Sequence, residues 1–172
     1  MRNKSKIVNH LVNLVTTAPS ETQSLGQVIG SSLPKPFVVG IDGPLGSGKT
    51  CLVQGIAKGL GVPANTLVTS PAYTLVQEYS VEDQTFIHID FYRLDDLTPD
   101  DYFLFEELFR NPNRMIVVEW SSKFLPDLIS DFLQISIARG DEANHRCLNF
   151  FSDSEPYIAL LHELRHYAKS RP

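Results

Sequence analysis

A glycine-rich segment of eight residues, GPLGSGKT at positions 43–50, separates a short apolar run from a stretch with helical periodicity. It matches the pattern G-x-x-x-x-G-K-[ST], which is informative when it joins a buried strand to a helix, as it does here. Glycines let backbone N–H groups turn inward around phosphate groups, and the N-terminus of the next helix adds its positive dipole end. This segment, called the phosphate loop below, therefore predicts a strand–loop–helix unit that binds a nucleoside triphosphate.

The pattern gives the side chains of the phosphate loop separate tasks. Lys49 is expected to reach the β- and γ-phosphates, and Thr50 to offer its hydroxyl to Mg²⁺. The candidate nucleotide-binding residues of the loop are Gly43, Leu45, Gly46, Ser47, Gly48, Lys49 and Thr50. The loop itself does not select adenine over guanine.

Apolar runs and amphipathic stretches alternate along the chain. The runs that predict strands are 37–41, 86–90 and 115–119, weaker candidates at 14–17, 66–69 and 73–79, and a hairpin of 133–138 with 147–151. The stretches that predict helices are 21–33, 48–60, 100–110 and 156–168, the first of them with Ser20 and Gln23 as a capping box. This alternation predicts an α/β fold of the P-loop NTPase type, with three layers, a mostly parallel central sheet and a C-terminal antiparallel hairpin.

Composition limits the class of protein further. The 172 residues are 42% apolar, which is enough for a buried core, and we expect a single P-loop ATPase domain over 1–172 with a frayed lead-in at 1–12. The net charge of −5 makes a basic, nucleic-acid-coating protein a poor fit. The two cysteines form no CxxC pair, and the N-terminus has neither a signal peptide nor a membrane span, so we expect a cytoplasmic protein without a membrane partner.

Two carboxylates follow directly on predicted strands. Asp90 comes after the run FIHI, and Glu119 comes after MIVV. Ligands of open α/β sheets gather at the carboxyl ends of the strands, and a P-loop enzyme needs an acidic residue for its Mg²⁺ shell. Both residues are therefore candidate magnesium ligands or water-organising catalytic residues. The alternative for either is that it only caps a loop.

The segments around these carboxylates hold further candidates. Thr74 and Ser70 lie between the phosphate-loop helix and Asp90, where small GTPases keep a γ-phosphate-sensing switch, and an ordinary loop is the alternative. Arg93 is expected to sense the γ-phosphate, to bind a partner or to form a structural ion pair. Trp120, the only tryptophan, is expected to cover the nucleotide, anchor a protein interface or pack in the core.

Four segments together resemble one family. In chain order they are GPLGSGKT, SPAYTLVQEY, HIDFYRL and VVEW, preceded by SETQSLGQVIGSSL. Their order and spacing resemble the TsaE (YjeE) family over roughly residues 14–125. Its members are small P-loop ATPases of bacterial tRNA threonylcarbamoyladenosine synthesis.

The resemblance implies ATP and Mg²⁺ as cofactors and hydrolysis that supports a partner complex. It implies a TsaD–TsaB-type heterodimer as partner, with tRNA contacted only indirectly, through the partners. Lys49 and Thr50 match the phosphate and Mg²⁺ positions, and Cys51 matches the next nucleotide-binding position. Asp90 and Glu119 match the acidic Mg²⁺ or water-organising positions. The motifs implicated in switching or hydrolysis contribute Thr74, Tyr92, Arg93 and Trp120.

The sequence departs from the family's pattern in four places. Ala72 stands in place of a Thr in SPTFT, and Cys51 in place of a second Thr after the phosphate loop. The segment EWPE reads EWSS here, and the loop positions that usually carry Asp and Ala hold Pro44 and Ser47. Pro44 also lacks an N–H for the phosphates. Since none of these changes touches the lysine or the acidic residues, we expect nucleotide binding to persist and hydrolysis to be slow.

Other classes remain open at this point. A small P-loop kinase usually carries an arginine-rich lid, whereas the eight arginines here are scattered. A GTPase is disfavoured because the chain has no N-K-x-D segment to read guanine. A nucleotide-gated docking module without meaningful hydrolysis is the third alternative, and the four departures favour it.

Overall fold

The computed structural model describes residues 11–170 as one seven-stranded sheet with helices on both faces. The strands are β1 (Leu11–Thr16), β2 (Phe37–Asp42), β3 (Val76–Val81), β4 (Gln84–Asp90), β5 (Met115–Glu119), β6 (Leu133–Arg139) and β7 (Arg146–Phe151). The helices are α1 (Pro19–Ser32), α2 (Lys49–Leu60), α3 (Pro99–Arg110), α4 (Leu125–Leu128) and α5 (Glu155–Ser170). A 3₁₀ turn, Ser121–Lys123, lies between β5 and α4.

The strand order is β1-β7-β6-β2-β5-β4-β3. The four central strands, β6, β2, β5 and β4, run parallel. The predicted hairpin β6–β7 is antiparallel, and β1 extends it, so that side of the sheet is mixed. A second antiparallel hairpin, β3–β4, forms the opposite edge. The predicted fold class is therefore confirmed, although the sequence did not predict this second hairpin.

Two apolar cores lie on the two faces of the sheet. The larger core packs α1, α2 and α5 against one face, and the smaller core packs α3 and α4 against the other. The central strands β2 and β5 are buried on both faces, which explains why their sequences are continuous apolar runs instead of alternating ones.

The helices α1 and α2 pack backbone to backbone. A Cβ placed on Gly55 of α2 would lie 2.9 Å from the Cα of Gly26 in α1 and would overlap the carbonyl oxygen of Gln23. Only glycine allows two helices to approach this closely. The helix that follows the phosphate loop is therefore held directly against its neighbour.

The C-terminal helix α5 is tied to the centre of the sheet. The hydroxyl of Tyr157 donates to the carbonyl oxygen of Val38 (3.0 Å) and accepts from the N–H of the same residue (2.9 Å). Pairing between β2 and β6 starts only at Val39, so this hydroxyl serves backbone groups next to the start of that ladder. Burial raises the pKa of Tyr157, since the ionised form would lie in an apolar environment.

The predicted start of α1 is wrong. The helix begins at Pro19, the N-cap is Ala18 without a side-chain hydrogen bond, and Ser20 lies inside the first turn. Proline is favoured at the first helical position because its fixed φ suits the helix and its missing N–H is not needed there. The carboxylate of Glu21 instead accepts from the N–H of Thr17 (2.8 Å), which satisfies a backbone donor before the helix.

Other boundaries also differ from the prediction. Residues 66–69 form no strand, and the strand predicted at 73–79 is β3, which starts at Val76. Pro71 accepts from the N–H groups of Thr74 and Leu75, and this turn excludes residues 73–75 from the strand. The strand predicted at 14–17 already begins at Leu11, so the expected frayed lead-in does not reach that far, and residues 1–10 lie outside the described part of the chain.

Within residues 11–170, no helix combines the length and the apolar character that crossing a membrane requires.

Candidate functional site

The carboxyl ends of three parallel strands meet beside the phosphate loop. In register, Glu119 of β5 lies between Ile41 of β2 and Asp90 of β4. Asp42 is the last residue of β2 and directly precedes the loop. Sequence reasoning placed Asp90 and Glu119 at such strand ends, and the structure brings both to the same edge of the sheet.

The phosphate loop connects β2 to α2 through left-handed backbone. Gly48, the N-cap of α2, has φ 102° and ψ 18°, a conformation that favours glycine. Lys49 is buried, and its Nζ donates to the carbonyl oxygens of Gly43 (2.8 Å) and Pro44 (3.1 Å). The ammonium group is therefore held within the loop by the loop's own carbonyls.

The charge of Lys49 is balanced by three carboxylates. Burial lowers the pKa of Lys49, while the negative charges of Glu119, Asp90 and Asp42 act in the opposite direction. Burial is the larger effect, so the pKa lies below its usual value. A phosphate chain entering the loop would offer this ammonium group a much stronger partner than a carbonyl.

Thr50 and Glu119 are joined directly. The hydroxyl of Thr50 donates to Oε1 of Glu119 (2.9 Å), and Nε2 of His88 lies 3.0 Å from the same oxygen. Both Glu119 and His88 are buried. His88 is thus packed within the sheet, and its ring contacts a candidate site residue.

The oxygen ligands of this cluster suit Mg²⁺. This cation is usually held by one or two carboxylates, a hydroxyl, water and the phosphates of its nucleotide, without an all-protein cage. Thr50 and Glu119 offer such a pair. Residues 11–170 contain no group of three or more His, Cys, Asp and Glu side chains arranged around a metal position.

Asp90 is oriented by two donors. The hydroxyl of Ser70 donates to Oδ2 (2.5 Å), and the N–H of Tyr92 donates to Oδ1 (2.9 Å). Of the two hydroxyl residues considered from the sequence, Ser70 is the one that contacts the acidic residue. Thr74 is exposed and lies in the turn after Pro71.

The ring of Trp120 lies over the ammonium group of the loop lysine. The Nζ of Lys49 lies 4.2 Å from the centre of the Trp120 ring, which packs on Tyr92 with ring centres 5.1 Å apart. Trp120 is also partly packed against the smaller core. Arg93 does not contact the phosphate loop in this arrangement, since its guanidinium group lies over the ring of Tyr73 (3.8 Å).

The hairpin β6–β7 contributes two arginines that sequence reasoning missed. Arg146 donates from Nε to the carbonyl oxygen of Ser47 (2.7 Å), and Arg139 donates to that of Leu45 (3.3 Å). Their positions on either side of the loop that connects the two strands of the predicted hairpin were the available signal. These contacts hold the outer part of the phosphate loop against the sheet.

A small cavity of about 60 Å³ adjoins the start of α2. Its lining is Pro19, Thr22, Gly48, Cys51, Asn144 and Arg146. The thiol of Cys51 donates to the carbonyl oxygen of Pro19 (3.4 Å), and burial raises the pKa of this thiol, with Arg146 acting in the opposite direction. Cys51 therefore lies at the wall of this cavity, between the phosphate loop and the start of α1.

Four further polar residues have contacts near the phosphate loop that the sequence did not predict. Both carboxylate oxygens of Asp42 accept hydrogen bonds from Ser121 and Ser122, and Lys123 donates to three carbonyl oxygens just after Asp90. Asp42 carries the same signal as Asp90 and Glu119, a carboxylate at the end of an apolar strand. In the sequence, Ser121 and Ser122 are distinguished only as departures from the segment EWPE.

The parallel sheet, the phosphate loop and the strand-end carboxylates together define a P-loop nucleotide-binding protein. The family model described as "Threonylcarbamoyl adenosine biosynthesis protein TsaE" matches residues 16–148. The chain therefore belongs to the TsaE family.

Individual relatives agree with this assignment. The tRNA threonylcarbamoyladenosine biosynthesis protein TsaE of Bacillus subtilis is 30% identical over 156 residues, covering 88% of this chain and 92% of the relative. The protein of the same name from Synechocystis is 36% identical over 114 residues, which are 63% of this chain and 69% of that protein. The crystal structure of Bacillus subtilis YdiB superposes with a TM-score of 0.72 at 29% identity, covering 95% of this chain and 99% of that one.

Proposed function

We propose that this chain binds ATP with Mg²⁺ and hydrolyses it in support of threonylcarbamoyl modification of the adenosine next to the anticodon of tRNA. In this proposal the chain is a single cytoplasmic ATPase domain that acts on a TsaD–TsaB-type heterodimer and meets tRNA only through those partners. The observation that carries it is the hydrogen bond between Thr50 and Glu119, at the start of the helix whose first residue is Lys49. This is where a P-loop enzyme needs its magnesium ligands.

Each residue of the cluster has a distinct task in the proposal. Lys49 exchanges the carbonyls of Gly43 and Pro44 for the β- and γ-phosphates. Thr50 and Glu119 would hold Mg²⁺, which when bound would neutralise the charge that develops on the phosphates. Their hydrogen bond supports this assignment, because it brings the two candidate oxygen ligands within 2.9 Å of each other.

The attacking water requires an acceptor on the γ-phosphate side. Asp90 is the proposed residue, because it neighbours Glu119 in the sheet and is held by Ser70 and Tyr92. Thr74 is proposed to approach the γ-phosphate only when the segment after Pro71 closes, since it is exposed in the present arrangement. A low rate without partners follows from this need for ordering.

The nucleoside is proposed to lie towards the cavity at Cys51 and Arg146. The N-terminus of α2 ends the phosphate-binding backbone, so the α-phosphate and sugar continue beyond Gly48. The thiol of Cys51 is a weaker donor than a hydroxyl, so we expect only a modest contribution from it to phosphate binding.

The decisive experiment measures ATP hydrolysis by the chain alone and with a TsaD–TsaB pair, with GTP as the comparison. We expect ATP-selective hydrolysis that rises on adding the pair. Lys49→Ala should weaken ATP binding by about tenfold or more, because a buried charge-assisted contact is lost. Lys58→Ala, an exposed position on the same helix, is the matched control and should leave binding unchanged. Wild-type affinity in Lys49→Ala would contradict the assignment of the phosphate loop.

A second candidate function is a nucleotide-gated docking module. It is favoured by the contacts of Ser122, which stands where the family's pattern has a second carboxylate and instead donates to Asp42 (2.8 Å). Tight ATP binding with no hydrolysis, with or without the partner pair, would select this alternative.

A further inference from the structure

The 3₁₀ turn Ser121–Lys123 holds the residue that precedes the phosphate loop. The hydroxyl of Ser121 donates to Oδ2 of Asp42 (2.5 Å), while the N–H and hydroxyl of Ser122 donate to Oδ1 (3.0 and 2.8 Å). Gly40 makes room for this contact, since a Cβ there would lie 2.7 Å from the Ser121 hydroxyl. One side of the turn is therefore fixed to the base of the loop by three hydrogen bonds.

The other side of the turn holds the segment that follows Asp90. Nζ of Lys123 donates to the carbonyl oxygens of Phe91 (3.2 Å), Tyr92 (2.8 Å) and Leu94 (2.8 Å). An ammonium group has three protons, so these contacts account for all of them. The side chain of an exposed lysine usually rotates freely. Lys123 loses this side-chain conformational entropy, because its three hydrogen bonds hold it in one position.

The same segment carries ordered backbone donors. The N–H of Phe91 donates to the carbonyl oxygen of Glu119, that of Tyr92 to Asp90, and that of Leu94 to the carbonyl oxygen of Phe91. Lys123 thus stabilises a segment whose own hydrogen bonds reach both candidate acidic residues. Tyr92, within it, packs on Trp120.

Trp120 joins the two sides. It directly precedes the turn, its N–H donates to the carbonyl oxygen of Ile41 (2.9 Å), and its backbone is left-handed with φ 58°. Its ring lies against the ammonium group of Lys49 on one side and Tyr92 on another. This cation–π contact links the ammonium group of the phosphate loop directly to the residue that precedes the turn.

We propose that Lys123 is a positioning residue that couples occupancy of the phosphate loop to the segment 91–94. When Lys49 moves to bound phosphates, its cation–π contact with Trp120 is lost. The 3₁₀ turn then shifts while its hydrogen bonds to Asp42 persist. Lys123 transmits this shift to the carbonyl oxygens of Phe91, Tyr92 and Leu94. The segment that orients Asp90 then responds to the nucleotide. This inference rests on the proposed nucleotide binding and goes beyond it, because it assigns a function to a residue outside the family's motifs.

The test compares Lys123→Met with Lys58→Met by amide hydrogen exchange over residues 91–94, with and without AMP-PNP and Mg²⁺. In the wild type and in Lys58→Met we expect nucleotide to slow exchange of this segment. In Lys123→Met we expect exchange without nucleotide to be faster by about tenfold, with little response to nucleotide, since local opening costs less. A wild-type response in a folded Lys123→Met would overturn the proposal, as would a wild type whose segment does not respond.

The kinetic constants of Lys123→Met distinguish a positioning role of this lysine from a general loss of stability. Partner-stimulated kcat should fall by about fivefold or more in Lys123→Met while KM stays within about twofold, and Lys123→Arg should restore most of the loss. A parallel change in kcat and KM with a lowered melting temperature would indicate a structural role only. Where Lys123→Met does not fold, Ser122→Ala loosens the other side of the turn, and an unchanged exchange response there would also overturn the proposal.

Failure of the proposed function is recognised separately. If the wild type binds AMP-PNP but never hydrolyses ATP, the ATPase assignment fails, whereas the exchange measurement still decides the role of Lys123.

Discussion

Glu119 receives two hydrogen-bond donors on the same oxygen, Oε1. Thr50 and His88 both lie within 3.0 Å of it, and the carboxylate is almost completely buried. The negative charge of Glu119 also acts on the buried ammonium group of Lys49, so this carboxylate interacts with both functional residues at the start of α2.

Glu119→Gln tests this role at the residue scale. The amide preserves size and hydrogen bonding but removes the charge that holds Mg²⁺, so we expect partner-stimulated hydrolysis to fall by about a hundredfold and nucleotide affinity by less than about tenfold. Single-turnover hydrolysis and calorimetry with ATP measure the two effects. Glu78→Gln, at an exposed position on β3, is the matched control. Equal losses of binding and hydrolysis would assign Glu119 a structural role instead.

The residues that the sequence predicted are those with a strong local cause. Lys49 and Thr50 follow from the loop pattern, and Asp90 and Glu119 follow from strands that end in a carboxylate. Ser70 was harder to separate from Thr74, because the choice depends on a turn at Pro71 that only the packed structure defines. Lys123 gave no signal, since a lysine reads as a solvated surface residue unless its backbone partners are known.

At the scale of elements, the contact between α1 and α2 sets the frame of the site. Gly55 and Gly26 bring the helix backbones together, and the phosphate loop is attached to the N-terminus of α2. The sequence predicted both helices from their apolar periodicity. It did not predict the closeness of the contact, because a glycine inside a helix is read from sequence alone as a weak point.

The sign of the change in the free energy of unfolding in Gly55→Ala shows whether this glycine is a weak point of α2 or a requirement of the close contact with α1. Helix propensity alone would stabilise α2 by up to about 1 kcal/mol, whereas overpacking against α1 costs about 1–3 kcal/mol. We expect net destabilisation, measured as a lower midpoint of denaturant unfolding. Lys58→Ala, on an exposed part of α2, should change the free energy of unfolding by less than about 0.5 kcal/mol. A stabilised Gly55→Ala variant would show that the two helices can separate without cost.

For the molecule as a whole, strand order was the least predictable feature. The parallel core follows from alternating strands and helices, but local patterns do not specify that β7 lies between β1 and β6, or that β4 lies between β5 and β3. These pairings depend on contacts between distant parts of the chain. The hydrogen bond between the Tyr157 hydroxyl and the Val38 backbone is another contact of this long range, since it joins residues 119 positions apart.

Tyr157→Phe removes that long-range contact and leaves the ring in place. The N–H and carbonyl of Val38 would lose a buried partner, so we expect the free energy of unfolding to fall by about 1–3 kcal/mol. Because the pKa of Tyr157 is raised in the folded state, its contribution is complete below the unfolded value near 10 and is lost as the pH rises above it. Denaturant unfolding at pH 7 and along an alkaline series measures both effects.

The alkaline series also needs a comparison with a second tyrosine. Burial raises the pKa of Tyr79 as well. The Tyr157→Phe variant, which keeps Tyr79, should therefore lose only part of the destabilisation that the wild type shows at alkaline pH. A stability at pH 7 and an alkaline profile that both match the wild type would show that the Tyr157 hydroxyl contributes nothing to holding α5 on the sheet.

The strand β1 has a consequence for the behaviour of shortened chains in solution. Within residues 11–170 it pairs only with β7, and its outward-facing Leu11 and Val15 are 45% and 51% exposed. An uncovered strand edge is a template for pairing with other molecules. Removal of residues 1–16 would expose the edge of β7 that β1 now pairs with. We therefore expect such a shortened chain to aggregate more readily than the full chain.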